Sequence, residues 1–324
     1  MTVRVISKSD FQENNSEIIE EETPPFLCEV EDTRNNFQCA TDTAKCIYGL
    51  TKMTFSYIGN FAFYYNNQEK FEIHPQETGD TWSYDESRLP WSNSESSEGL
   101  YLFAPGLDAP TRSWGPLIKE IIDKDPEAHC VLPNLVEKGD ASIEKVGQPL
   151  VDIVRNYLQK FPKKPIHLLG TSRGGQLIAY IEKELESEKM VGRDLFVVCV
   201  AGVIYGTKNI DWQSEEGFLN RVAKLKHNEE TLEELSWGNE KVRNLVQELQ
   251  KKQKVWAKNN TKAKHLFVGT VNDELVTYTS SLPFLDGDVT YELLRGETHV
   301  SIVSNSSEII LQWFEDKKIV PINL

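Results

Sequence analysis

Residues 165–181 read PIHLLGTSRGGQLIAYI, and the order of their parts governs how the rest of the chain is read. Pro162 and Pro165 interrupt what precedes. Ile166, Leu168 and Leu169 then form a short apolar run that suits an interior parallel strand. Gly170-Thr171-Ser172-Arg173-Gly174 follows as G-x-S-x-G, and Leu177, Ile178, Ile181 and Leu185 recur beyond it at helical spacing. A serine at such a strand-to-helix junction, flanked by glycines that let the two elements approach closely, takes a strained backbone and holds its hydroxyl above the sheet edge. Alone, the five-residue pattern is also an ordinary glycine-rich turn. Its weight depends on what the chain supplies on either side.

Upstream, Leu100 to Ala104 (LYLFA) reads as a strand ending in Pro105-Gly106-Leu107, with a helix expected from Trp114 to Ile122. His129 to Leu132 is a further strand. Asp140 or Ser142 can then cap an amphipathic helix whose apolar face runs through Val146, Leu150, Val154, Tyr157 and Phe161. Downstream, Leu195 to Ile204 is almost wholly apolar, and His265 to Gly269 and Val289 to Leu294 read as two last strands before a closing helix at Glu308 to Phe314. Strands alternating with helices predict a mostly parallel central sheet covered on both faces. The charged segment 211–262 carries apolar stripes through Leu232, Leu235, Val242, Leu245 and Leu249. It reads either as helices packed on the sheet or as a helical cap over the strand ends.

The N-terminal part is read differently. Residues 1–25 are polar and acidic and are expected to be a solvated tail, leaving 26–324 as one domain. Met53 to Asn66 mixes aromatic and β-branched residues around Gly59-Asn60, and with Lys70 to His74 it predicts a β-hairpin that opens the sheet with antiparallel strands. Gln76 to Glu98 reads as a long loop with Trp82 and Trp91 embedded.

Composition excludes some classes of function. Thirty-five Lys and Arg against 50 Asp and Glu leave a net charge of −15, which disfavours nucleic acid and anionic membranes as electrostatic partners. Residues 1–15 lack the apolar core of a signal peptide, and no stretch is long and apolar enough for a membrane span, so a soluble protein in a reducing compartment is expected. The five cysteines agree, because Cys130 and Cys199 fall in apolar strands as buried thiols. Cys28, Cys39 and Cys46 lack knuckle spacing and a nearby histidine, so neither a metal nor a cofactor is expected.

A serine nucleophile needs a base, and the base needs an orienting carboxylate. On a strand-turn-helix scaffold these follow in the order serine, acid, histidine. Of the six histidines, His74, His129 and His167 precede Ser172, His227 falls in the charged segment and His265 opens a strand. His299, in RGETHVSIV, is the one placed after the last strand. Asp273, in VGTVNDELV, follows the strand before it, with Asp211 the competing acid and Glu274 a lesser neighbour. An oxyanion hole needs two backbone N–H donors, which would come from Leu107 and Arg173. The Arg173 side chain receives no role.

With LYLFAPGLD, IHLLGTSRGG, VGTVNDELV and GETHVSIV in this order, the chain resembles the α/β-hydrolase superfamily over about 53–314. The Gly-Thr of VIYGT is similar to the lipase and lipid-deacylase branch that includes GPI inositol deacylases. Pro105 and Thr171 depart from it, standing where the family commonly has histidine. The resemblance implies a serine hydrolase acting on a carboxylic ester, with a lipid or other acyl ester as substrate and transient contact with a membrane surface. A catalytically silent binding module, an acyltransferase and a thioesterase are the alternatives.

Overall fold

The computed structural model describes residues 36–79, 81–92, 99–207, 226–259, 261–276, 278–281 and 287–318. The acidic tail, Cys28 and Asp211 lie outside the described residues. The described elements are α1 (Asn36–Phe71), β1 (Glu72–Ile73), β2 (Pro75–Thr78), β3 (Thr81–Tyr84), β4 (Leu100–Ala104), α2 (Gly115–Lys124), β5 (His129–Pro133), α3 (Ile143–Lys160), β6 (Ile166–Thr171), α4 (Arg173–Glu184), α5 (Ser187–Met190), β7 (Asp194–Val200), α6 (Glu229–Leu235), α7 (Glu240–Lys258), β8 (Lys262–Thr270), α8 (Tyr278–Ser281), β9 (Asp288–Leu294), α9 (Ser301–Asn305) and α10 (Ser307–Lys318).

Seven of these strands form one sheet in the order β1-β5-β4-β6-β7-β8-β9, and every neighbouring pair is parallel. Parallel strands with both faces covered read as continuous apolar runs, and β4, β5 and β6 are buried along their whole length. One face packs on α3, α4 and α7 through a cluster including Val146, Leu150, Val154, Leu177 and Trp256. The other packs on α1, α2, α9 and α10 through Tyr64, Trp114, Leu117, Ile302 and Trp313. This is an α/β-hydrolase fold. Its register aligns Ala104 with Gly170, Thr171 with Val200, Val200 with Val268 and Thr270 with Leu294, so the carboxyl ends of β4, β6, β7, β8 and β9 finish along one edge. Ligands in such sheets bind beyond that edge.

The helix after Asp140 starts from Ser142, whose side chain accepts from Lys145 N. In the segment read as packed helices or a cap, the two described helices divide. α7 lies against α4 and β8 as a crossover helix in the layer that covers one face of the sheet. α6 instead stands at the strand ends, where Thr207 N, just past β7, donates to Leu235 O at 2.7 Å.

The expected N-terminal hairpin does not form: Met53–Asn66, with Lys70 and Phe71, belong to α1, a single helix of 36 residues, and only Glu72–Ile73 of the second run form a strand, β1, which pairs in parallel. The reason lies in which residues face inward. Asp42, Gly49, Tyr64 and Phe71 are buried, and Ser56, Tyr57 and Asn60 half-buried, an inward face at helical spacing but of mixed polarity. No apolar stripe therefore marks it. The polar residues satisfy themselves on the helix, Thr51, Thr54 and Asn60 each bonding the carbonyl four residues back. The antiparallel ribbon that does occur pairs β2 with β3, inside the stretch read as loop and apart from the main sheet. Trp91 of that stretch is buried, donating to Asn156 Oδ1 at 2.9 Å and packing edge-on to Tyr157.

Candidate active site

Ser172 has φ 53° and ψ −124°, a strained conformation for a residue with a side chain. Backbone bonds on both sides hold it there: Ser172 N donates to Val200 O at 3.3 Å, and Ser172 O accepts from Gly175 N at 2.9 Å and Val203 N at 3.0 Å. The flanking glycines are steric requirements. A Cβ at Gly174 would stand 2.0 Å from Ala104 O, and one at Gly170 would stand 2.3 Å from Gly174 O. Asp108, Glu137, Lys138 and Ala201 also have positive φ, so backbone strain recurs in the loops beyond β4, β5 and β7.

Asp273 lies in the turn after β8. Its Oδ1 accepts from Leu275 N at 2.9 Å and Val276 N at 2.7 Å, while its Oδ2 meets His299 Nδ1 at 2.8 Å. The carboxylate is almost wholly buried. Pairing at Nδ1 leaves Nε2 of His299 for the cavity that both His299 and Ser172 line. The two loops are stitched at several points. Gly296 N donates to Asn272 Oδ1, Thr270 Oγ1 to Glu297 O, and His299 N to a Glu274 carboxylate oxygen at 3.2 Å. The structure thus pairs His299 with Asp273 and gives Glu274 a main-chain contact to the same residue.

Leu107 also lines this cavity, three residues past β4. Gly106 comes close enough that a Cβ on it would be 3.0 Å from the Ser172 Cβ. The neighbours of Leu107 in the loop are fixed by Asp108 N to Lys138 O and Ala109 N to Gly106 O. Among the described residues, Leu107 N makes no main-chain hydrogen bond.

The Arg173 side chain neither faces solvent nor merely packs. It is fully buried and pairs with Glu234 Oε2 at 2.6 Å. Its remaining donors reach Gly139 O, Ala141 O and Gln176 Oε1. Glu234 also accepts from Ile143 N, and Gln176 donates to Glu234 O. Burial pushes the Glu234 carboxyl above the usual range, and the Arg173 guanidinium pulls it back. One buried ion pair thereby joins the residue after Ser172 to the start of α3 and to α6. Glu234 is the site residue that sequence reading misses, because EETLEEL offers four glutamates with nothing to single it out.

The cavity measures about 420 Å³ and is mainly apolar, walled by Leu107, Val203, Leu232, Leu235, Val276 and Val303. Lys226 and His227 bring polarity to it. Lys226 bonds Asp108 at 2.6 Å and holds that carboxyl below its ordinary range, while His227 faces Asp140 at 3.5 Å. The Gly-Thr pair after β7 also serves the wall. Thr207 Oγ1 donates to Leu275 O at 2.9 Å, and a Cβ at Gly206 would stand 2.2 Å from Ser236 O. Among the described residues no group of three potential ligands could hold a metal ion, and no helix is long and apolar enough to cross a membrane.

No protein-family model matches the chain, and no curated protein matches it. Solved structures do resemble it at low identity. Phospholipase PlaB from Legionella pneumophila is 12% identical over 53% of this chain, with a TM-score of 0.41. Lipase B of Aspergillus fumigatus is 14% identical over 63%, with a TM-score of 0.46. This chain spans 40% of the first and 49% of the second. A lipase-esterase related protein from Clostridium acetobutylicum is 14% identical over 69% of this chain and 96% of its own, with a TM-score of 0.44. At these scores the likeness carries no argument about activity, which has to come from the site itself.

Proposed function

We propose that the protein is a serine hydrolase that cleaves a carboxylic ester through an acyl-enzyme on Ser172. The observation that carries this reading is the 2.8 Å pair between Asp273 Oδ2 and His299 Nδ1, in a cavity wall that also holds the strained Ser172. In the proposed reaction Ser172 Oγ attacks the ester carbonyl carbon as His299 Nε2 takes the hydroxyl proton. Asp273 holds the imidazole in the tautomer with its proton on Nδ1 and stabilises the imidazolium. The N–H groups of Leu107 and Arg173 receive the oxyanion. Collapse of the tetrahedral species breaks the bond to the alcohol, which leaves with the proton from His299. Water activated by the same histidine then releases the acid and regenerates Ser172.

The apolar cavity favours an acyl chain over a small acetyl group. A series of p-nitrophenyl esters tests both parts of the proposal. Burial of each added methylene should raise kcat/KM about fourfold until the cavity is full, and Ser172→Ala should lose at least about 10⁴-fold. Turnover greatest for acetate would remove the acyl-chain reading. Turnover undiminished in Ser172→Ala would remove the nucleophile.

A further inference from the structure

The helix α1 is built inside out. Its inward face includes Asp42, Gly49, Ser56 and Asn60, whereas its solvent side carries Ile47, Tyr48, Phe55, Ile58, Phe61 and Tyr65, exposed by between 52% and 71%. Ile47, Phe55, Ile58, Phe61 and Tyr65 recur at helical spacing, so they form one stripe along the helix. A contiguous exposed apolar surface of this kind marks an interaction site.

The helix is firmly seated on the fold. Asn305 Nδ2 donates to Gly49 O at 3.0 Å, Tyr64 OH contacts Thr111 Oγ1 at 2.9 Å and Glu72 Oε2 at 3.1 Å, and the Tyr64 ring packs on Gly115. It also passes the cavity. Tyr57, one position from Ile58, lines the space above Ser172, and the rim residues Leu275 and Val300 are themselves exposed. The helix that bears the apolar stripe therefore also contributes to the cavity wall.

We propose that this face docks on a zwitterionic phospholipid surface and holds the cavity mouth against it. Charge favours this occupant. In a chain of net charge −15, residues 36–66 contain only three charged side chains, and the acidic one, Asp42, is buried while Lys45 and Lys52 remain exposed. The stripe presents aliphatic and phenyl groups with the phenols of Tyr48 and Tyr65 among them, the composition that settles at the boundary between acyl chains and headgroups. At 36 residues α1 is about 54 Å long, and it would lie in the plane of the surface. The inference deepens the lipid-ester reading and rests on it for what enters the cavity, but the docking itself requires no catalysis.

Flotation of the full chain with phosphatidylcholine vesicles tests it. Wild type and Ser172→Ala should float alike. The double variants Phe55→Glu/Ile58→Glu and Phe61→Gln/Tyr65→Gln should lose at least about tenfold in partitioning. Both double variants should hydrolyse a water-soluble short-chain ester within about twofold of wild type, since these four positions lie outside the cavity wall. Wild type that stays at the bottom of the gradient, or variants that float equally well, would overturn the proposal. So would a wild-type dimer in light scattering that the variants convert to monomer without any loss of flotation, because the face would then belong to a second copy. Wild type that floats but hydrolyses no ester sinks the hydrolase reading and leaves docking standing, so the two failures remain distinct.

Discussion

The turn around Ser172 and the helix α1 border the same cavity, and their sequences specify them in opposite ways. At the turn the constraints come from backbone. A Cβ at Gly170 would meet Gly174 O within the turn, and one at Gly174 would meet Ala104 O at the end of the neighbouring β4, so the two glycines answer to main-chain geometry and their spacing reports it. At α1 the constraint is supplied by partners elsewhere in the chain: Glu297, Asn305, Thr111 and Gly115 receive its inward face. A motif set by the main-chain geometry of a strand-turn-helix can be read in one pass along the sequence. An element defined by distant partners, with its apolar residues outside, imitates an alternating strand.

Several substitutions would sharpen or break this contrast. The largest effect is expected at Glu234→Leu, which leaves the Arg173 guanidinium buried without its counter-charge and should cost about 3–5 kcal/mol in urea unfolding. A cost below about 1 kcal/mol would mean that the pair does not tie the Ser172 turn to α6. Gly174→Ala comes next at about 3 kcal/mol, since the new methyl meets the backbone carbonyl of Ala104 rather than a movable side chain. Near-neutral behaviour there would show that the turn relaxes and that its glycine is a preference, not a requirement. The smallest and most diagnostic effects form a pair within α1. At Gly49 a Cβ would lie 2.9 Å from Gly296 O and 2.8 Å from a Glu297 carboxylate oxygen, so Gly49→Ala should destabilise by about 1–2 kcal/mol. At Gly59 nothing stands within 4 Å, and Gly59→Ala should stabilise by about 0.8 kcal/mol through helix propensity alone. Equal signs at the two glycines would contradict the placement of the helix faces.

Much of the site was legible for the same reasons. The apolar runs at 100–104, 166–169 and 195–204 read as interior strands, which the structure ends at Ala104, Thr171 and Val200, and the alternation of strands with helices implied that they run parallel. Asp273 and His299 were legible by position, one in the turn after β8 and the other in the loop after β9, and the structure brings them to 2.8 Å. The arginine-glutamate pair was not, because a charged residue beside a serine and a glutamate 61 positions later become partners only once α6 returns to the sheet edge. The division of 226–258 between α6 at the cavity and α7 in the layer was equally hidden. Both carry apolar stripes, and a stripe does not say which surface it meets.

The proposed reaction stands on Ser172 as nucleophile and His299 as its base. Treating the folded protein with a fluorophosphonate and mapping the adduct by peptide mass spectrometry tests both residues at once. One adduct is expected, on Ser172, lost in Ser172→Ala and slowed at least about 10³-fold in His299→Ala. Labelling that persists unchanged in Ser172→Ala, or proceeds at the wild-type rate in His299→Ala, would contradict the proposed reaction.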